Sequence, residues 1–207
     1  MTRPLLSILI PTWNQEVLAI RALDSIPRRD DIEVIVSDDA STDNTWANIL
    51  QYKEAHPELN LKVYRNEKNL GCFGNGNLIG TYATGEYTHG LDNDDYLYTE
   101  EYSRVVDMID GEDAIYMNLE VNSGEILVLN EMNRRVYCAP ITRIVRREFA
   151  QNLRFRPVKG GMPDWYFNED FLALNPKCKY TGIVAYHHNF PREGSVSYLF
   201  RHGHEVF

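Results

Sequence analysis

The sequence predicts an α/β protein built on a mainly parallel sheet with helices on both faces. Three observations carry that expectation. Short apolar runs rich in β-branched residues alternate with helix-length segments through the first half of the chain. Those runs read as buried strands, the kind a sheet covered on both faces contains. Acidic residues follow two of them, as Asp38-Asp39 and as Asp92 to Asp95. In open α/β sheets, ligands bind outside the carboxyl ends of strands, so one shared site is expected there.

Leu5 to Ile10 is the first strand, stopped at Pro11. Glu16 to Ile26 reads as a helix ending at Pro27, and Ile32 to Val36 as a second buried strand. Ser41 is placed to cap a helix running to about Tyr52. Leu61 to Arg65 is a third strand. Asn69 to Gly76 is glycine-rich and leads into a helix to about Thr84. Tyr87 to Leu91 is the strand before the acidic run, and Thr99 to Ile109 the helix after it.

The second half is less regular. Ala114 to Asn118 and Glu125 to Leu129 read as strands, Ile141 to Asn152 as a helix. Pro163 to Leu174 is helical, with Pro163 suited to a first turn. Lys179 to His188 mixes β-branched and aromatic residues and reads as a strand. No repeat or linker interrupts residues 1–207, so one domain is expected.

The bulk numbers narrow the class. The chain has 207 residues, 43% hydrophobic, 12% aromatic and 25% charged, with a net charge of −9. That is the profile of a globular protein rather than a disordered one. Acidity matches poorly with a phosphate-backbone binder. The basic concentration Arg134-Arg135, Arg143 and Arg146-Arg147 reads as a solvated helix face. Cys72, Cys138 and Cys178 have neither zinc spacing nor the even count of a disulfide framework. No stretch approaches the roughly 20 apolar residues of a membrane span, and the start lacks a signal peptide. A cytoplasmic protein is expected, with peripheral attachment to a membrane left open.

Gly90-Leu91-Asp92-Asn93-Asp94-Asp95-Tyr96 places three carboxylates within four positions. Such crowding is relieved by a divalent cation; hard ions such as Mg²⁺ or Mn²⁺ take carboxylate oxygens and share their sites with nucleotide phosphates. Alone, the pattern reads equally as a polar turn.

Taken together, these blocks resemble the family 2 glycosyltransferases, which have the GT-A fold. Leu6 to Asn14 looks like that family's first strand and Pro-x-Tyr-Asn turn, with Trp13 in the aromatic place. Glu33 to Thr45 is close to its E-I-I-V-V-D-D-G-S-T-D-N-T signature. Asn69-Leu70-Gly71 through Asn77 and Ala83-Thr84-Gly85-Glu86-Tyr87 follow its N-x-G…N…A-x-G-E-Y segment, and Leu91 to Asp95 its L-D-x-D-D block. Pro163-Asp164-Trp165-Tyr166-Phe167 resembles E-D-W-x-F; Tyr186-His187-His188 with Glu193 to Ser197 resembles Y-H-x-R…G-S-V-S. The blocks keep the family's order across nearly the whole chain.

The resemblance implies transfer of a sugar from a nucleotide-sugar donor to an acceptor hydroxyl, with inversion and with Mn²⁺ or Mg²⁺ as cofactor, in a single domain whose residues 1–98 form the nucleotide-sugar-binding half and 99–207 the acceptor-binding half. It makes Asp94 the first metal ligand and sets Asp92 between metal and ribose; Asp95 reads equally as a helix cap. Asp39 would read the base, where a carboxylate accepts the imide N–H of uracil or thymine, favouring a UDP- or dTDP-sugar. Pro11, Thr12 and Trp13 would border base and ribose, and Asn77 matches the family's asparagine. Asp164 is the candidate general base, with Asp170 the alternative if the alignment shifts. His187 is preferred over His188 as a further metal ligand. A glycan or lipid-linked glycan is the favoured acceptor, and a nucleobase in DNA a less favoured one.

Departures exist. Gly76 stands where the family has arginine, Asn75 replaces its alanine, and Pro163 replaces the glutamate before the base. Arg192 or Lys68 is then the substitute cation for a diphosphate, and a non-catalytic nucleotide-sugar-binding relative is the alternative reading. A nucleotidyltransferase lacks its basic glycine-rich loop here, and no G-x-G-x-x-G follows the first strand as a dinucleotide oxidoreductase requires.

Overall fold

The computed structural model describes residues 3–135, 139–156 and 163–193. Cys138, Gly194 to Ser197, His202 and His204 therefore lie outside the described residues. Nine strands among those described form one sheet.

The first half is built as its apolar runs require. β1 (Leu6–Thr12), β2 (Ile32–Asp38), β3 (Leu61–Arg65) and β4 (Tyr87–Gly90) run parallel in the order β3-β2-β1-β4. Every residue of β2 is buried, which is why its seven positions show no polar–apolar alternation. α1 (Leu18–Asp24), α2 (Thr45–Ala55) and α3 (Gly71–Ile79) connect these strands. Ile8, Ile10, Leu23, Ile32, Val34, Ile49 and Tyr102 are among the residues of the main core. Each fully buried aliphatic side chain there contributes about 1.5–3 kcal/mol.

Two details differ from the sequence expectation. Ser41 does not cap α2, whose N-cap residue is Asn44; the Ser41 hydroxyl instead accepts the Asn14 N–H at 2.9 Å. The glycine run does not lead into the helix but forms the body of α3, which ends at Ile79 and is followed by a 3₁₀ turn over Gly80–Tyr82. A Cβ at Gly74 would lie 2.9 Å from the Leu70 Cβ, and one at Gly85 2.7 Å from the Ser7 hydroxyl. These glycines therefore permit close packing.

The second half adds mixed pairing. β5 (Tyr96–Leu97), α4 (Thr99–Asp107), β6 (Ala114–Val121) and β7 (Ile126–Leu127) precede β8 (Arg143–Arg146) and α5 (Arg147–Ala150). α6 (Pro163–Ala173) and β9 (Cys178–His188) complete the described elements. The sheet continues from β4 through β8, β6 and β9 to β5, with β7 on β6. β8 is antiparallel to both β4 and β6, while β6 and β9 are parallel.

β8 overturns the expected helix from Ile141 to Asn152. Ile144 and Val145 are β-branched and sit between two strands that need partners, so sheet pairing outweighs local helical pattern. β8 also overturns the solvated-face reading of its arginines. Arg143 is 1% exposed, its guanidinium 4.6 Å from the Phe171 ring centroid and 5.6 Å from that of Tyr116. Arg146 pairs with Glu86 at 2.9 Å and lies over Tyr87. A desolvated cation over an aromatic face is worth roughly 2 kcal/mol, which offsets part of the burial cost.

Candidate active site

Strand order decides the site. β2, β1 and β4 are neighbours and parallel, so the segments leaving their carboxyl ends emerge side by side. Asp39 follows β2, Trp13 follows β1 and the acidic turn follows β4.

The first two segments are latched together. Asp39 N–H donates to the Thr12 carbonyl at 2.8 Å. Thr42 N–H donates to the Asn14 side-chain oxygen at 2.8 Å, and Gln15 N–H to the Thr45 hydroxyl at 2.8 Å. Asp39 is 2% exposed, and its Oδ1 accepts from Asn66 Nδ2 and Leu70 N–H, both at 2.8 Å. Asp38 is held inward by Arg65 at 3.2 Å. Trp13 is 51% exposed, so core packing does not explain it. Thr12 is buried, and Pro11 lines a cavity described below.

The acidic turn closes with Asp95 N–H on the Asp92 carbonyl at 3.0 Å. Its three carboxylates differ in role. Asp95 is 1% exposed, with Oδ1 accepting Asn189 N–H at 2.7 Å and Oδ2 accepting the Tyr186 hydroxyl at 2.6 Å and His188 Nδ1–H at 3.0 Å. Its polar capacity is used internally, which fastens the end of β9 to the turn. The Tyr186 oxygen also accepts Asp92 N–H at 3.2 Å. Asp94 Oδ2 meets Arg192 Nε at 2.6 Å, and the Asp94 carbonyl accepts from Arg21. Asp92 is reached by solvent yet hemmed in by protein. That crowding, with the like charges of Asp95 and Asp94, pushes its carboxyl well above the usual carboxylate range.

β9 separates the two histidines by its alternation. His188 faces the turn. Burial pulls its imidazole down, but the hydrogen bond to Asp95 and the surrounding carboxylates outweigh this and hold its pKa above the ordinary value. His187 lies elsewhere: its ring stacks on Tyr96 at 4.4 Å and Nε2 meets Asn122 at 3.1 Å. The expected preference for His187 is thus reversed by geometry, and His188 is the histidine beside the carboxylates. Among the described residues no three His, Cys, Asp or Glu side chains form a complete cation cage. A divalent ion held by Asp92 and Asp94 would need phosphate oxygens and water to fill its shell.

A cavity of about 250 Å³ opens beside the turn, and Asp92 and Asp164 both line it. Asp164, in the first turn of α6, has its carboxyl raised by burial, with Arg143 and His188 opposing the rise. Asp170 lies outside the lining, in an ion pair with Arg156 at 2.5 Å. Glu169 pairs with Arg135 at 3.1 Å. Geometry therefore puts Asp164, not Asp170, with Asp92.

Asn77 lines the cavity, but its amide is spent on the chain: Nδ2 donates to the Phe155 carbonyl at 2.9 Å and Oδ1 accepts Phe155 N–H at 2.8 Å. Phe155 stacks on Phe167 at 4.6 Å and lies 3.4 Å from where a Gly76 Cβ would stand. Asn75 is buried and bonded to Ser37 at both ends of its amide. Phe155 escaped the sequence reading, as did the parts played by Tyr186, which anchors the acidic turn, and by Arg143, which is buried; only the β-branched pair Ile144-Val145 hinted at a strand there.

The family model described as Glycosyl transferase family 2 matches residues 7–165. WcaA of Escherichia coli (strain K12), named as a colanic acid biosynthesis glycosyl transferase, is 40% identical over 94 residues, 44% of this chain and 33% of WcaA. The GalNAc(5)-diNAcBac-PP-undecaprenol beta-1,3-glucosyltransferase of Campylobacter jejuni is 35% identical over 105 residues, 50% of this chain and 34% of that protein. The matched stretch is thus about a third of each relative's length. The crystal structure of S. aureus TarS 1-349 in complex with UDP-GlcNAc superposes with a TM-score of 0.76 at 26% identity, covering 92% of this chain and 59% of that one.

Proposed function

The chain belongs to glycosyl transferase family 2, and on that premise we propose that it transfers a sugar from a nucleoside-diphosphate sugar to an acceptor hydroxyl, with inversion. One observation carries the reading: Asp92 of the acidic turn and Asp164 of α6 line one cavity at the carboxyl ends of β1 and β4. A donor-binding carboxylate and a proton acceptor are the two groups that a single displacement needs.

In this reading the nucleoside lies against Trp13 and Asp39, and the carboxylate of Asp39 favours a uracil or thymine base. The UDP-GlcNAc bound to the TarS fragment supports a uridine donor. The diphosphate lies at the turn of Asp92 and Asp94, with Arg192 the neighbouring cation. Hard oxygen donors at Asp92 and Asp94 suit Mn²⁺ or Mg²⁺, which would stabilise charge on the departing diphosphate. Asp164 accepts the proton of the attacking hydroxyl, and burial strengthens it as a base. Asp95, Tyr186 and His188 fix the turn.

The acceptor half is read as taking a glycan or lipid-linked glycan, supported by the undecaprenol-linked name of the Campylobacter relative. Among the described residues no helix is long and apolar enough to cross a membrane. Calorimetry with UDP, dTDP and GDP, with and without Mn²⁺, tests the donor site. Metal-dependent binding of a pyrimidine diphosphate is expected; binding of none of the three would refute it.

A further inference from the structure

Resting on that donor site, we infer that Arg21 of α1 is its positioning residue: it sets the backbone of the acidic turn and so aims the Asp94 carboxylate at the donor. The Arg21 guanidinium donates through Nη2 to the Asp94 carbonyl. The adjoining amide, Asp95 N–H, donates to the Asp92 carbonyl at 3.0 Å. Both polar groups of the peptide unit joining Asp94 to Asp95 are therefore bonded. A planar unit held at both groups cannot rotate, which fixes the direction in which the Asp94 side chain leaves the chain. The end of α1 holds the following residues as well. The Ser25 hydroxyl accepts Leu97 N–H at 3.0 Å, and the Ser25 carbonyl accepts the Thr99 hydroxyl at 2.9 Å. Of these three bonds, that of Arg21 reaches the acidic run itself.

The guanidinium is itself held in place. Its central carbon lies 5.0 Å from the centroid of the Tyr96 ring. Tyr96 stacks in turn on His187 at 4.4 Å, its partner in the β5–β9 pairing. Arg21 Nε is buried with no partner among the described residues, and an unpaired buried N–H costs stability. A cation in the last turn of a helix gains from the dipole, but an exposed guanidinium would have that gain without the cost. The placement therefore serves the turn rather than the helix. Arg192 holds the same residue at its other end, through the Asp94 carboxylate. The two arginines are not interchangeable: a metal that displaces Arg192 from the carboxylate leaves the bond from Arg21 to the carbonyl in place.

The test uses the full chain with Mn²⁺ and whichever of UDP and dTDP binds, measured by calorimetry, with urea unfolding of each variant to show that folded protein is compared. Arg21→Met keeps an apolar stem and removes the donor, and about tenfold weaker nucleotide binding is expected. Arg21→Lys keeps a cationic donor and should return the affinity to within about threefold of wild type. Tyr96→Leu removes the ring beneath the guanidinium and should weaken binding by about threefold; it carries the test if Arg21→Met does not fold. A residue that only supports the fold would lower the unfolding free energy and leave the affinity of the folded protein unchanged. Unchanged affinity in Arg21→Met, or in Tyr96→Leu where Arg21→Met does not fold, therefore overturns the inference and leaves the donor site standing. A loss in Arg21→Met that Arg21→Lys does not reduce also overturns it, since the bond to the carbonyl would not be its cause. Failure of the wild type to bind either nucleotide overturns both readings.

Discussion

Arg192 Nε stands 2.6 Å from Asp94 Oδ2, so the carboxylate proposed to hold a divalent ion already has an internal cation. A metal must displace that guanidinium or share the carboxylate with it. Removing the competitor should therefore strengthen metal binding in the absence of nucleotide. Both partners are partly exposed, 24% and 16% at the side chain, so the ion pair is worth about 1 kcal/mol or less. Arg192→Gln should raise Mn²⁺ affinity by up to about fivefold, read from free Mn²⁺ by electron paramagnetic resonance. An unchanged or weaker affinity would remove Asp94 from the metal site.

Much of this was legible beforehand because it rests on periodicity and order. The parallel half follows from buried apolar runs, and the site's location follows from which strands end in Asp39 and Asp92. What escaped was fixed by contacts distant in sequence. The three carboxylates of the turn look alike as letters, but Tyr186, His188 and Asn189 come from more than 90 residues away to enclose Asp95 alone. His187 and His188 differ only in which face of β9 they occupy. Arg143 reads as a surface residue until β4 and β6 enclose β8 from both sides.

The Tyr186 hydroxyl ties the turn to β9 by donating to Asp95 while accepting from Asp92 N–H. Tyr186→Phe leaves a buried carboxylate with one donor fewer and the Asp92 N–H without its acceptor. A loss of about 1–3 kcal/mol in unfolding free energy is expected, measured by urea denaturation. A change under roughly 0.5 kcal/mol would mean that water replaces the hydroxyl.

Asp164 and Asp170 can be separated by activity. Asp164→Asn keeps the shape but removes the proton acceptor, so turnover should drop by about 10²–10⁴-fold while nucleotide-sugar affinity holds. Asp170→Asn removes only a surface partner of Arg156, worth about 1 kcal/mol of stability at most, and turnover should stay within about twofold. The reverse pattern would move the base to Asp170.

His89 gives the fold a pH dependence of known sign. It is 1% exposed, and its Nε2 faces the Ile141 carbonyl at 2.9 Å. A carbonyl only accepts, so Nε2 carries the proton and Nδ1 accepts the Tyr102 hydroxyl at 2.7 Å. Burial lowers its pKa from 6.5 to about 4, against the small upward pull of the Ile141 carbonyl. Between those values the unfolded chain binds a proton that the folded chain refuses. Stability from this group is therefore full above about pH 6.5 and lost as pH falls toward 4, by roughly 3 kcal/mol in all. His89→Gln keeps a donor and an acceptor but has no such titration. Urea unfolding at pH 7 and pH 5 should show the wild type losing more stability than the variant. Equal losses would mean that His89 is protonated in the folded state, with the Tyr102 hydroxyl turned away from it.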